Sequence, residues 1–381
     1  MIPRPTIAAS LRRGQRRSAR LPGRRLRQDS RVVTKRSRSS HVIREAISSL
    51  TPAMSRTILG FHVACASPRS RRHDAMDATA DRVLLFRRDY RELTGGHLKV
   101  RHYFAHAEHS TRFRPRIYFT PDSLRGPDNP WHGITPPPLD VWRPAAAAAL
   151  FVAGLDWEAV PDPSPAPVIN LIQHVRHAHA GDPRRPFLVR PAVRICVSQE
   201  VADAIAGTGA VNGPIHVIPN GIDLENIPSA VERDIPVLVA GLKNPGFAAE
   251  LAARLSGMGV AVQVFDTLRP RQEFLDRLSR ARVVVTLPTR EEGFFLPALE
   301  AMAAGAVVVC PDCIGNRGFC RDRETAFRPP YTIDDVVAAS IAAVTQAPGE
   351  AAALRAAAAA EAKKHGLAAE RLAFLRILDS V

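Results

Sequence analysis

From residue 82 onward the chain alternates short apolar runs with longer mixed segments. Apolar runs recur at Arg82–Phe86, Arg116–Thr120, Leu150–Ala153, Val168–Ile172, Val193–Val197 and Ile215–Ile218, each flanked by polar or turn-forming residues. Such runs, separated by crossover-length segments, predict strands of a parallel sheet covered on its faces. A second series is more regular. Strands are predicted at Pro236–Ala240, Val260–Phe265, Arg282–Leu287 and Ala306–Cys310, alternating with helices at Phe247–Leu255, Arg271–Leu278 and Leu296–Ala304. Helices at Ile333–Val344, Glu350–Lys364 and Ala368–Leu378 close the chain. Between the two series, Asn226–Asp234 contains Pro228 and several charges and reads as a linker, while the Pro-, Gly- and Trp-rich stretch Asp122–Pro138 reads as an irregular loop.

The expected organisation is therefore α/β, with two Rossmann-like domains facing each other across a cleft. Residues 81–226 form the first, and residues 227–381 the second with its closing helices. Ligands of open parallel sheets sit beyond the carboxyl ends of the strands, so chemistry is sought there.

Charge changes the picture only for the first 80 residues. The 381-residue chain carries a formal net charge of +15. Residues 1–50 hold 13 Arg and one Lys against Asp29 and Glu45, and residues 51–80 add four Arg against Asp74 and Asp77. The first 80 residues thus account for +14 and the remaining 301 for +1. This basic segment is expected to be a disordered tail that contacts anionic partners, an Arg- and Ser-rich targeting segment, or a stretch upstream of the true start, with Met54 and Met76 as later candidates. The folded body is not expected to bind nucleic acid. No run approaches the ~18 apolar residues of a membrane span. Five cysteines give no disulfide pattern, and a cytoplasmic setting is the default. Cys310 and Cys313, with Cys320 seven further on, look like half of a zinc site, but no second ligand pair follows, so no metal is expected.

The richest segment is Thr289–Gly305, TREEGFFLPALEAMAAG, which follows a predicted strand and opens a helix near Leu296. Free N–H groups at such a helix start suit phosphate or sugar hydroxyls, and Pro297 fits the first turn. Glu292 and Glu300 are spaced to reach two parts of one elongated ligand, or else merely decorate the helix start. Thr94-Gly95-Gly96-His97, after the opening strand, permits close backbone approach to an anion or sugar. His174, His177 and His179 cluster beyond the strand Val168–Ile172, without a nearby carboxylate or thiol that would suggest a metal. Asp156-Trp157 is either an acceptor-side carboxylate with a sugar-stacking ring or a capped turn with a packed Trp.

The segment Glu292, Gly293, Phe294, Leu296, Pro297, Glu300, Ala301, Met302 and Gly305 resembles the donor-binding motif of the large retaining, two-domain B-type "group 1" glycosyltransferase family. Upstream, Val217-Ile218-Pro219-Asn220-Gly221-Ile222-Asp223 resembles that family's interdomain segment. The resemblance implies transfer of a sugar from a nucleotide-diphosphate donor to a saccharide or lipid-linked acceptor hydroxyl, with retention and without a cofactor. It further implies surface polysaccharide synthesis, at the inner face of the membrane or in the cytoplasm. Glu292 would contact the donor sugar with the Gly293–Phe295 backbone beside it, and Glu300 would take the ribose hydroxyls. Phe294, Phe295 and Leu296 would line the donor, with Gly95 and Gly96 across the cleft. Lys243 would face the diphosphate, and His174, then His177, would stand near the reacting centre. Two departures are plain: Leu242 stands where the family has Arg, and Phe295 where it has a second glycine. They are the best support for an alternative, a non-catalytic nucleotide-sugar- or glycan-binding subunit of a polysaccharide-assembly complex.

Overall fold

The computed structural model describes residues 82–92, 94–228 and 232–381. The basic segment 1–80 lies outside the described residues. The first domain is a six-stranded parallel sheet built from β1 (Val83–Arg88), β2 (Arg114–Phe119), β3 (Ala149–Ala153), β4 (Val168–Ile172), β5 (Val193–Cys196) and β6 (Ile215–Val217), in the order β2-β1-β3-β4-β5-β6. The second is a four-stranded parallel sheet, order β10-β9-β7-β8, from β7 (Ile235–Ala240), β8 (Val262–Phe265), β9 (Ala281–Thr286) and β10 (Val307–Val309). Strand order reverses at β1 in the first sheet and at β7 in the second, and the crevices beyond those strand ends are where open α/β sheets take ligands.

Period-two alternation explains the second domain's layers. Leu238, Val284 and Val308 point to a core shared with Leu275, Leu278, Leu299 and Met302. Val237, Val239, Val283, Val285, Val307 and Val309 point the other way, against Leu251, Leu255 and Val336. The covering helices are α3 (Pro245–Gly257), α4 (Arg271–Arg280), α5 (Leu296–Ala303), α6 (Ile333–Val344) and α7 (Pro348–Lys363).

The first domain departs from the sequence expectation in two ways. Gly95 and Gly96 do not form a loop; they open helix α1 (Gly95–Ala107), capped by Thr94, whose side chain accepts from the His97 N–H. Two glycines argue against a helix start by propensity, but burial of Val100, Tyr103, Phe104 and Ala107 outweighs that cost. Apart from α1 and α2 (Gln199–Ala206) the described residues of this domain hold no α-helix before the second domain begins, and 3-10 turns at 154–159, 175–178 and 185–189 stand in the β3–β4 and β4–β5 crossovers. The missing cover comes from the end of the chain. Helix α8 (Leu367–Ser380) does not join the second domain's core, as its place in sequence suggested. Phe374, Ile377 and Leu378 pack into the first domain, with the Phe374 ring 4.9 Å from Tyr103 and 5.8 Å from Phe151.

At that junction lies a buried polar cluster. The Lys99 ammonium donates to the Glu370 carboxylate at 2.8 Å, to the Gly221 carbonyl at 3.0 Å and to His102 Nδ1 at 3.1 Å. Glu370 also accepts from the Gly221 N–H at 3.1 Å and contacts His106 Nε2 at 2.9 Å. One helix of the first domain, the interdomain segment at Gly221 and the returning helix α8 are thereby joined. Burial alone would raise the Glu370 pKa, but Lys99 and His106 outweigh it and hold it at about 2.

Two outcomes follow for stability. Glu370→Gln strands a buried ammonium and is expected to cost about 3–5 kcal/mol in urea denaturation. Because the folded pKa of Glu370 lies below the unfolded value of ~4.3, its contribution is present above that pH and drains away as pH falls toward 2. The wild type should therefore lose stability more steeply than Glu370→Gln between about pH 4.5 and 2.5; parallel curves would contradict this.

Candidate active site

At the strand-order reversal of the second sheet, the turn after β7 carries Lys243 and the turn after β9 carries Thr289 and Glu292. Lys243 Nζ lies 2.5 Å from Glu292 Oε1, and the same oxygen accepts from the Thr289 hydroxyl at 2.7 Å and the Thr289 N–H at 3.3 Å. Among the described residues no hydrogen bond reaches Glu292 Oε2. Burial would raise the Glu292 pKa, but the charge and hydrogen bond of Lys243, with the bonds from Thr289, outweigh it and keep the carboxyl below its ordinary value. It is a carboxylate at neutral pH with one oxygen held and the other free.

The first domain meets this turn directly. His174 and Glu292 form an antiparallel backbone bridge. A Cβ on Gly293 would stand 2.1 Å from the Gln173 carbonyl oxygen, and one on Gly315 would stand 2.6 Å from the Glu292 carbonyl oxygen. Three backbones thus stack with no room for a side chain between them. Gln173 Nε2 also donates to the Gly96 carbonyl at 3.4 Å, which brings the start of α1 to the same place. Phe294 packs on the cores of both domains, 5.1 Å from Phe319 and 5.7 Å from His365.

His174 Nδ1 accepts from the Arg176 N–H at 3.1 Å, which assigns the ring hydrogen of the neutral form to Nε2. Burial, then the positive charge of Arg176, lowers its pKa, so it is neutral near pH 7. It is a hydrogen-bond donor beside Glu292.

Glu300 lies on α5, buried, with Arg271 of α4 donating to its Oε1. Among the described residues no hydrogen bond reaches Oε2. Glu300 and Leu296 line a cavity of about 320 Å³ whose other walls come from α1, from α4 and from Gly221, Ile222, Asp223 and Asn226. Small-ligand pockets start near ~300 Å³.

Other candidates stand elsewhere. Phe295 does not line the cavity: its ring is 2% exposed in the second domain's core, with Lys243 Nζ 5.5 Å from the ring centroid. Leu242 is exposed. Asp156 and Trp157 are not available to an acceptor. Asp156 is buried against Arg88 at 2.7 Å and Arg87 at 3.4 Å, and Trp157 is 1% exposed, stacked on Phe187 beneath Arg190 and Arg194. His177 is buried, and burial followed by Arg184 drives its pKa down to about 3, so it is a packed neutral ring. Cys310, Cys313 and Cys320 are buried thiols, with Asn316 Nδ2 3.1 Å from Cys310 Sγ. Among the described residues no group of three or more His, Cys, Asp or Glu side chains is placed to hold a metal. No helix among them is long and apolar enough to cross a membrane. Sequence reasoning missed Thr289, Gln173, Arg271 and His102. Of these only Thr289, three residues before Glu292, carried a local signal.

The two facing parallel sheets have the two-domain fold of B-type glycosyltransferases. The chain superposes on Anabaena Alr3699/HepE, solved in complex with UDP-glucose, with a TM-score of 0.64 at 14% identity, over 78% of this chain and 100% of that one. It also superposes on sucrose-phosphate synthase from Thermosynechococcus elongatus (0.58, 13%, 78% and 98%) and on a glycosyltransferase from Rickettsia africae (0.55, 11%, 79% and 98%). Residues 222–346, most of the second domain, match the family model "Glycosyl transferases group 1". No curated protein matches the sequence.

Two substitutions check the geometry. Gly293→Ala must push the Glu292 turn away from Gln173 and should lower the melting temperature together with any activity. Asp156→Ala, which strips Arg88 of its partner, should cost roughly 1.5–3 kcal/mol of stability without raising the KM for an acceptor; a KM effect at full stability would return Asp156 to the acceptor site.

Proposed function

We propose that the protein is a retaining glycosyltransferase that moves a sugar from a nucleoside-diphosphate donor to an acceptor hydroxyl. The observation that carries this reading is the pairing of Lys243 with Glu292 at the strand-order reversal, within the segment that matches the glycosyltransferase group 1 model and that also supplies Glu300 to the cavity. The UDP-glucose bound by the Anabaena relative supports a nucleotide-sugar donor.

In this mechanism Glu300 Oε2 accepts from the ribose hydroxyls and Glu292 Oε2 from hydroxyls of the transferred sugar. Lys243 stands against the diphosphate, where negative charge grows as the bond from the anomeric carbon to the phosphate oxygen breaks. His174 Nε2–H donates to a hydroxyl beside the reacting centre. The acceptor oxygen bonds to the anomeric carbon on the face the diphosphate leaves, and its proton passes to the departing phosphate oxygen. No covalent intermediate, cofactor or metal is required. The proposal extends to a saccharide or lipid-linked acceptor and to surface polysaccharide synthesis in the cytoplasm or at the inner membrane face; the resemblance to the family is its support.

The test is a screen of the full-length protein with UDP-, GDP-, ADP- and TDP-linked sugars, following binding, nucleotide release and product anomer. One donor should bind and turn over with retention, and chelator should leave the rate unchanged. Glu300→Ala should weaken donor binding by roughly 1.5–3 kcal/mol, the worth of a charge-assisted hydrogen bond. Glu292→Ala should lower turnover more than affinity. Donor binding without release or transfer under any acceptor would favour the non-catalytic binding subunit, and inversion would overturn the mechanism.

A further inference from the structure

The cavity lined by Glu300 has a wall formed by α1, and the polar side chain on that wall is His102. Its chemistry is settled by its neighbour one turn earlier. The Lys99 ammonium has three hydrogens and three acceptors: Glu370, the Gly221 carbonyl and His102 Nδ1. An ammonium can only donate, so Nδ1 must be the unprotonated nitrogen and Nε2 must carry the hydrogen. Burial, and after it the charge of Lys99, lowers the His102 pKa to about 3, so the ring stays neutral in this tautomer. Among the described residues Nε2–H has no hydrogen-bond partner.

The second domain supplies the complement to the same cavity. Glu300 brings a carboxylate with Oε2 uncommitted, Arg271 and Gln272 of α4 stand beside it, and Leu275 and Leu296, with Leu98 of α1 and Ile222 of the interdomain segment, give apolar surface. A fixed donor and a fixed acceptor lining one cavity suit a ligand whose hydroxyls both accept and donate, and the apolar walls suit flat, weakly polar faces. A nucleoside has both.

Resting on the nucleotide-sugar reading above, we infer that His102 is the first domain's contact to the nucleoside part of the donor, a hydrogen-bond donor of fixed tautomer sharing the cavity with Glu300. Lys99 is the positioning residue that sets the tautomer. Lys99 also grips the interdomain segment at Gly221, so the residue that sets the tautomer is bonded to a wall of the same cavity.

The experiment titrates full-length wild type, His102→Phe, His102→Gln and Glu300→Ala with UDP, GDP, ADP and TDP by calorimetry. For the diphosphate that the wild type binds, His102→Phe should weaken affinity about 3- to 10-fold, the worth of one neutral hydrogen bond. His102→Gln, whose amide N–H reaches about as far as Nε2, should stay near wild type. In ¹⁵N-histidine spectra of the wild type, the His102 Nε2–H signal should move on adding that nucleotide, which a purely structural ring would not show. If Glu300→Ala loses binding while His102→Phe keeps it and the Nε2–H signal stays put, this inference fails and the donor site stands. If neither substitution changes affinity, the nucleotide reading of the cavity fails with it. Should His102→Phe not fold, the wild-type spectrum decides alone.

Discussion

A single buried ammonium organises the relation between the two domains. Lys99 is 1% exposed, and such a charge is tolerable only if every one of its hydrogens finds an acceptor. Its acceptors come from α1, from the segment entering the second domain and from the helix that returns from it. Moving any of the three would leave a charge unpaired in an apolar interior. The position of α1, and so of Gly95 and Gly96 against Gln173, is therefore referred to the same point as the interdomain segment at Gly221. The stacked backbones at Gln173, Gly293 and Gly315 form the second fixed contact between domains, on the site side.

The two acids of the candidate site share one design. Glu292 and Glu300 each have a cation on Oε1, Lys243 in one case and Arg271 in the other. Each keeps Oε2 without a hydrogen bond among the described residues. A fully paired carboxylate would have nothing left to offer. Holding one oxygen fixes the orientation while leaving an acceptor whose direction is set before a ligand arrives, which is the kind of preorganisation that electrostatic binding and catalysis require.

Much of this was legible in the chain. Strict alternation and regular spacing gave the second domain's strands and helices to within a residue or two, because valine-rich runs buried on both faces have few other uses. The Thr289–Gly305 segment announced a strand-turn-helix junction, and the structure puts Lys243, Glu292 and His174 together there. The first domain was harder. Its β3–β4 and β4–β5 crossovers are built from 3-10 turns, too short for any periodic signal, and its last covering helix lies some 150 residues further along the chain. Asp156-Trp157 looked like sugar chemistry because its partners, Arg87, Arg88 and Phe187, are distant in sequence. Phe295 looked like an obstruction because the direction of a ring depends on the turn that carries it. His102 and Arg271 sat inside helices where nothing local distinguishes a cavity-facing residue from a solvated one.

The return of α8 has a consequence for the order in which the molecule assembles. The first domain is synthesised first, yet Phe374, Ile377 and Leu378 belong to its core, and Glu370 neutralises its buried lysine. On the ribosome, β1 to β6 can pair while Lys99 still faces water and Tyr103 and Phe151 still lack their lid. The second domain, whose own core is complete by α7, can close earlier in effect than the domain that precedes it. The first half of this protein finishes folding only when α8, at the far end of the chain, has been made.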